Sequence, residues 1–356
     1  MQPPNQPADD APAGAPPSAP RVIFGGVLMG LANLVPGISG GTMILAVGLY
    51  ERFIEAVADV SRLKLTKSSI VFLGLVVVGA AVAVLGFSGL AVALVRDHRW
   101  VMYSLFVGMT LGGVPLIWKF LKPFGPGVFL GFAGGFGLML AQFLEIFSTR
   151  LPDTTLALGL AGLLGATSMV LPGISGAYVL LILGLYETII GSVSASALRA
   201  DFSGSMAVLV PVGVGAAVGV GGLSNLLQWL LARFSAPVHG VLMGLLIGSV
   251  LNLYPFQEPL HPELSDRSTR KAITAFVGGE DPQAVEEKYG IAWDATERAR
   301  IEDTYGGKGP GDIKVMSGKT QRYDPTSAQS LGAIGYLLAG FGITWLLGKS
   351  GKKKPA

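Results

Sequence analysis

Two short interruptions in long apolar runs constrain this chain more than anything else: residues 35–41 read VPGISGG and residues 171–176 read LPGISG. Proline removes a helix hydrogen bond and glycine admits backbone angles closed to other residues. Pro36 with Gly37 and Gly40, and Pro172 with Gly173 and Gly176, therefore each predict a helix broken inside an apolar segment. A shift of 136 positions lays VPGISGGTMILAVGLYERFI (35–54) on LPGISGAYVLLILGLYETII (171–190) with eleven identities in twenty. The same shift lays VVVGAAVAVLGFSGL (76–90) on VGVGAAVGVGGLSNL (212–226) with ten in fifteen, and a shift of 140 relates LFVGMTLGGVP (105–115) to LLIGSVLNLYP (245–255). Three matches in one order mark a duplicated unit.

The apolar runs decide the class. Hydrophobic residues make up 51% of the chain and charged residues 14%, the balance of an integral membrane protein, and 51 glycines suit close helix packing in lipid. With no cysteine there is no disulfide and no thiolate ligand or nucleophile. The net charge of +3 is read as basic residues on cytoplasmic loops rather than as a nucleic-acid surface.

The expected order is a Pro- and Ala-rich disordered tail at 1–20, with neither the basic start nor the apolar core of a signal peptide, and then two repeats. Repeat 1 (21–153) holds a broken hairpin at 22–57 and spans at 69–95, 100–118 and 126–147. Repeat 2 (154–348) holds a hairpin at 156–194 and spans at 205–232, 237–255 and 329–348; a basic tail closes the chain at 349–356. A polar extracytoplasmic insertion at 256–328, expected to carry two helices, holds ten of the 26 basic residues. An arm of 13 residues is about 20 Å long, short of a ~30 Å hydrocarbon core, so each hairpin is read as re-entrant. Each half then crosses three times and the halves are inverted. Twelve basic residues outside the insertion fall on one side, against Arg96, Arg99, Arg150 and Arg199 on the other. Fully crossing hairpins divide the same residues seven to nine, which is no bias. The fold expected is an all-α polytopic membrane protein of two inverted-topology repeats, with both termini cytoplasmic.

Irregular backbone at membrane depth needs a protein wall or a polar cavity, and paired breaks in inverted repeats are a transporter plan. The amides of Gly40, Gly41 and Thr42, and of Gly176, Ala177 and Tyr178, open a helix after each break. They offer N–H donors to an anion such as phosphate, with the Ser39 and Ser175 hydroxyls beside them. One GxSG alone reads as tight helix packing; a matched pair on broken helices reads as a site. Glu51 and Glu187 recur in the repeat, about 15 Å beyond each tip, as gates or proton sites or as solvated interfacial carboxylates. Glu145, near a span end, is a proton-site candidate, a partner of Arg150 or a carboxylate that snorkels to the interface, and Arg96 and Arg99 either attract an anionic headgroup or anchor a helix end. No metal site or cofactor is expected, and nothing identifies whether protons or sodium drive the cycle. Whether the chain forms a homo-oligomer is open.

GGVLMGLANLVPGISGGTMILAVGLYERFI and its second copy TSMVLPGISGAYVLLILGLYE resemble the bacterial polyprenyl-phosphate transporters of the PopT type, across residues 21–255 and the last span. The resemblance implies a translocase that returns undecaprenyl phosphate, the lipid carrier of cell-wall glycans, from the outer to the inner leaflet of the cytoplasmic membrane. It points to Asn33, Pro36, Gly37, Ser39, Gly40, Gly41 and Thr42, and to Pro172, Gly173, Ser175 and Gly176. Ala177 and Tyr178 stand where the first copy has Gly41 and Thr42, so the tips need not act alike. A small-anion transporter or channel would share this chemistry. A polyprenyl-diphosphate phosphatase would need a nucleophile beside an acid–base partner. None of His98, His239 and His261 adjoins a tip in sequence.

Overall fold

The computed structural model describes residues 17–34, 39–144, 146, 151–193 and 195–350; of residues 88, 91, 92, 96, 187, 195–197, 349 and 350 it describes the backbone alone. Pro36, Gly37 and Glu145 lie outside the described residues, as do residues 1–16 and 351–356 of the two tails. The first half runs α1 (Ala19–Leu34), α2 (Gly40–Ala46), α3 (Tyr50–Ser61), α4 (Lys67–Asp97), α5 (Arg99–Gly112), α6 (Val114–Trp118) and α7 (Pro126–Phe143). The second runs α8 (Thr155–Val170), α9 (Gly176–Ile182), α10 (Tyr186–Val193), α11 (Ala195–Ala200), α12 (Phe202–Arg233) and α13 (Ser235–Ser249). Among the described residues six helical segments are long and apolar enough to cross a membrane: α4, α5 with α6, α7, α12, α13 with the turn after it, and the final helix. Leu85 is 85% exposed and Val77 64%, an outer face that water would penalise and lipid tails would not.

Each hairpin is broken twice, not once. The arm expected to run unbroken from Thr42 to Val57 divides into α2 and α3 at Val47–Leu49, where Gly48 takes φ +69°. Its copy divides into α9 and α10 at Leu183–Leu185, where Gly184 takes φ +76°. Left-handed backbone of this kind ends a helix, and glycine adopts it without a Cβ clash.

Glycines also set which helices touch. A Cβ on Gly26 would run into the Val76 carbonyl and one on Gly79 into that of Ile23; in the second half Gly162 meets Val212 and Gly215 meets Gly159 in the same way. All four pairs obey the 136-residue shift, so α1 lies on α4 as α8 lies on α12. Gly159 and Leu163 of α8 face Gly215 and Gly219 of α12, so these helices run in the same direction; so do α1 and α4, with Gly26 facing Val76 and Gly30 facing Ala80. The chain between such a pair must go out and come back. The remaining pairs cross the halves, α7 on α13 and α5 on the last helix, α18 (Ser327–Ser350).

The insertion, expected to hold two helices, holds four: α14 (Arg267–Val277), α15 (Pro282–Tyr289), α16 (Ala295–Tyr305) and α17 (Pro310–Ser317). Asp266, Asp281 and Asp294 cap the first three, each accepting from a backbone N–H three residues on. Leu264, Ile273, Ile301, Tyr305 and Ile313 form its own core. A two-stranded antiparallel ribbon, β1 (Gln257–Pro259) and β2 (Thr320–Arg322), closes the lobe where it joins the helices and is the one departure from an all-helical fold among the described residues. Arg322 lies over the rings of Phe143 (5.8 Å) and Tyr254 (5.1 Å), and Lys314 over Tyr186 (5.6 Å), which fixes the lobe at one end of the bundle.

Candidate functional site

Ser39 and Ser175 both occupy the residue before a helix, with extended backbone (φ −101°, ψ 131° and φ −91°, ψ 123°), yet neither side chain caps its own helix. The Ser39 hydroxyl instead donates to the carbonyl of Leu171 at 3.1 Å, across 132 residues of sequence. In the other direction the Gly173 N–H donates to the Thr42 hydroxyl oxygen at 2.7 Å, a buried bond. Gly41 lies between these bonds: a Cβ there would sit 3.0, 3.1 and 3.2 Å from the carbonyl oxygens of Met169, Val170 and Leu171. The carbonyl end of α8 thus abuts the amide end of α2, so opposite helix-dipole ends meet, and the Leu171 carbonyl and Gly173 N–H at the second break are satisfied by side chains of the first. The two breaks are stitched to one another.

The tips are not equivalent. The Gly40 N–H donates to the Asn33 side-chain oxygen at 3.2 Å, whereas the position matching Asn33 is Met169, which packs on Gly176 and offers no such acceptor. Every residue of α2 is buried, while in α9 Gly176 is buried and Ala177, the counterpart of Gly41, is exposed. Gly173 takes φ +91° and packs on the Leu245 carbonyl, a conformation and a space that admit only glycine. The Tyr178 hydroxyl donates to the Gln142 carbonyl at 3.4 Å. The structure therefore gathers Asn33, Ser39, Gly40, Gly41, Thr42 and Gly173 at one junction, while Gly176 packs on Gly165 and Met169 of its own half.

The remaining candidates lie elsewhere. Arg99 reaches the Tyr103 hydroxyl at 3.2 Å with its guanidinium 4.7 Å from that ring, the geometry of a helix-end anchor. Glu51 lies beyond the second break, against a residue that sequence spacing set aside. His239 is 3% exposed, stacks on Phe120 at 4.6 Å, and brings Nε2 to 3.1 Å from the Glu51 carboxylate. Its Nδ1 is 2.8 Å from the Ser235 carbonyl, a contact that requires an N–H there. Nε2 faces the carboxylate, so the Ser235 carbonyl and Glu51 together hold the ring in one orientation. Arg21, Tyr50 and Lys119 line a cavity of about 220 Å³ together with this pair. Arg21 is itself fixed by bonds from Nε (3.1 Å) and Nη2 (2.5 Å) to the Val47 carbonyl at the end of α2. No group of three or more His, Asp or Glu side chains suited to a metal occurs among the described residues.

Comparison with known proteins follows the same stretch of chain. Residues 29–271 match the family described as undecaprenyl phosphate translocase-like. The chain is 26% identical over 254 residues to a polyprenyl-phosphate transporter of Vibrio cholerae, covering 66% of this chain and 77% of that one. It is 28% identical over 244 residues to a polyprenyl-phosphate transporter of Staphylococcus aureus, covering 65% and 85%. No solved structure matches it. The matched region contains both breaks and ends inside α14.

Proposed function

Because the chain belongs to the undecaprenyl phosphate translocase-like family, we propose that it transports polyprenyl phosphate through the membrane, returning undecaprenyl phosphate from the outer to the inner leaflet without chemical change to the phosphate. The observation that carries this reading is the pair of hydrogen bonds that joins the two breaks, Ser39 to Leu171 and Gly173 to Thr42. Each break is helical backbone interrupted in an apolar segment, and each finds its polar partner in the other half. Moving one half against the other breaks both bonds and exposes hydroxyls, amides and a helix end carrying positive dipole, the donors a phosphate monoester takes. Rejoining them expels the headgroup, while the isoprenoid chain stays among lipid tails against apolar faces such as that of α4.

An inverted, re-entrant arrangement is part of the proposal. Its support is directional. Leu253, after α13, and Tyr103, early in the matching helix α5, join one buried cluster, as matching helices running in opposite directions would allow. The hairpins leave and return between helices that run alongside each other, α1 with α4 and α8 with α12. The lobe then lies outside the cytoplasmic membrane and both chain ends lie inside.

The test is translocation of a short polyprenyl phosphate by the full chain in vesicles. Ser39→Leu places a branched side chain between the breaks and is expected to abolish translocation without loss of the protein from the membrane. Wild-type translocation by that variant overturns the assignment. Inorganic phosphate carried as fast as the lipid would make this a small-anion transporter instead.

A further inference from the structure

The cavity bounded by Arg21, Lys119 and His239 has no part in the stitched junction, and its contents suit a ligand. It is built from both halves: Arg21 from α1, Tyr50 and Glu51 from α3, Lys119 just after α6, His239 from α13 and Gly348 from α18. The two cations, Arg21 and Lys119, outnumber the single Glu51 carboxylate, so an anion is favoured there. Tyr50 adds a buried hydroxyl that finds no hydrogen-bond partner among the described residues. A buried polar group left unpaired is costly, and such groups often await a ligand. Leu45, Ile117 and Leu242 add apolar lining. Cations and aliphatic carbon in one cavity match the two parts of a lipid phosphate. A cavity of about 220 Å³ takes the headgroup and the first carbons of its chain, but not a nucleotide.

Its position is as informative as its lining. Leu45 lines the cavity and Gly40 stands at the junction on the same helix, five residues or about 8 Å away. The Arg21 bonds to Val47 tie the cavity to the carbonyl end of α2 just as the amide end of α2 is tied to the other half. The cavity also sits at the end of the bundle opposite the lobe, since α13 starts here and leads to the lobe, and α18 starts at the lobe and ends here.

We infer that this cavity is a second binding station for a phosphate monoester, which receives the headgroup at the end of the bundle away from the lobe after it leaves the junction; the inference rests on the transport reading above. Arg21 and Lys119 supply charge, Tyr50 supplies a hydroxyl donor, and the His239 ring, held by Glu51 and the Ser235 carbonyl, forms part of the wall. Lys119 stands at the mouth, exposed, with its ammonium 4.8 Å from the Phe120 ring. It can be changed without opening a cavity in the core.

The experiment measures equilibrium binding of farnesyl phosphate, inorganic phosphate and farnesol to the purified full chain. Lys119→Gln is expected to weaken farnesyl phosphate about tenfold or more and to leave farnesol unchanged, and Lys119→Arg to restore affinity. Inorganic phosphate that displaces farnesyl phosphate shows that the headgroup alone is recognised; its failure to do so, with the lysine dependence intact, shows that the station needs the lipid. Both results support it. Wild-type affinity in Lys119→Gln, or equal losses for farnesyl phosphate and farnesol, overturns it. Ser39→Leu separates the two readings. If it loses farnesyl phosphate while Lys119→Gln does not, the junction stands and the station falls. If the reverse holds, the station stands and the junction falls, and a wild-type chain that binds no farnesyl phosphate removes both.

Discussion

Thr42 holds the one buried bond between the breaks in which a backbone N–H has a side-chain acceptor, and this makes it separable from its neighbours. Thr42→Val keeps the shape and leaves the Gly173 N–H unpaired in a buried place, an expected cost of about 1–3 kcal/mol, whereas Thr42→Ser keeps the oxygen and most of the stability. Thermal unfolding of the two variants in detergent checks this. The second tip differs: its Tyr178, at the position of Thr42, sends its hydroxyl to the Gln142 carbonyl. The asymmetry was partly readable in advance, since Gly41 and Thr42 align with Ala177 and Tyr178. What spacing could not supply was the partner of each group. Ser39 and Leu171 are 132 residues apart, and Glu51 and His239 are 188 apart; no local pattern announces either meeting. His239 looked inert because distance from a tip was measured along the chain, and α13 brings its first turn back against α3.

At the level of elements, the doubled segments carried most of the architecture. Apolar run lengths placed the six long helices within a few residues of their observed ends, because a membrane-length helix needs little beyond composition. The second break in each hairpin was missed although its signal was present: Gly-Leu-Tyr occurs at 48–50 and again at 184–186, after an apolar run with no proline. A lone glycine in such a run is compatible with helix, and only its left-handed backbone shows otherwise. Gly48→Ala and Gly184→Ala are therefore each expected to destabilise by about 1–2 kcal/mol, the cost of that conformation for an L residue. The Gly48 variant should also disturb the Arg21 guanidinium, 2.9 Å from where the new methyl would sit. Gly215→Leu presses on the Gly159 carbonyl and should part α8 from α12, lowering the yield of folded protein; Gly213→Leu, which faces open space, is the matched control.

For the molecule as a whole, the lobe is the part that composition described least well. Three of its four helices carry aspartate caps, and the four share a small core of their own, so carboxylates contribute to holding the lobe together. Burial acts to raise the Glu263 carboxyl, but the hydrogen bond from Tyr305 and the nearby cations Arg300 and His261 outweigh it and hold it below the usual carboxylate range. Asp266 is held low by the backbone N–H of Thr269. For depressed carboxylates the stabilisation is complete above about pH 4 and is lost as the pH falls through their lowered values. The lobe should accordingly loosen in that acid window while the long helices persist, a separation that proteolysis across pH would detect. Gln257 pairs with Arg322 at the foot of the ribbon, so 64 intervening residues leave and return through neighbouring points. This protrusion marks one end of the bundle as different from the other. It gives electron microscopy a landmark for telling top from bottom, and it gives protein engineering a ready-made socket in which another folded unit could be seated without stretching the helices beneath.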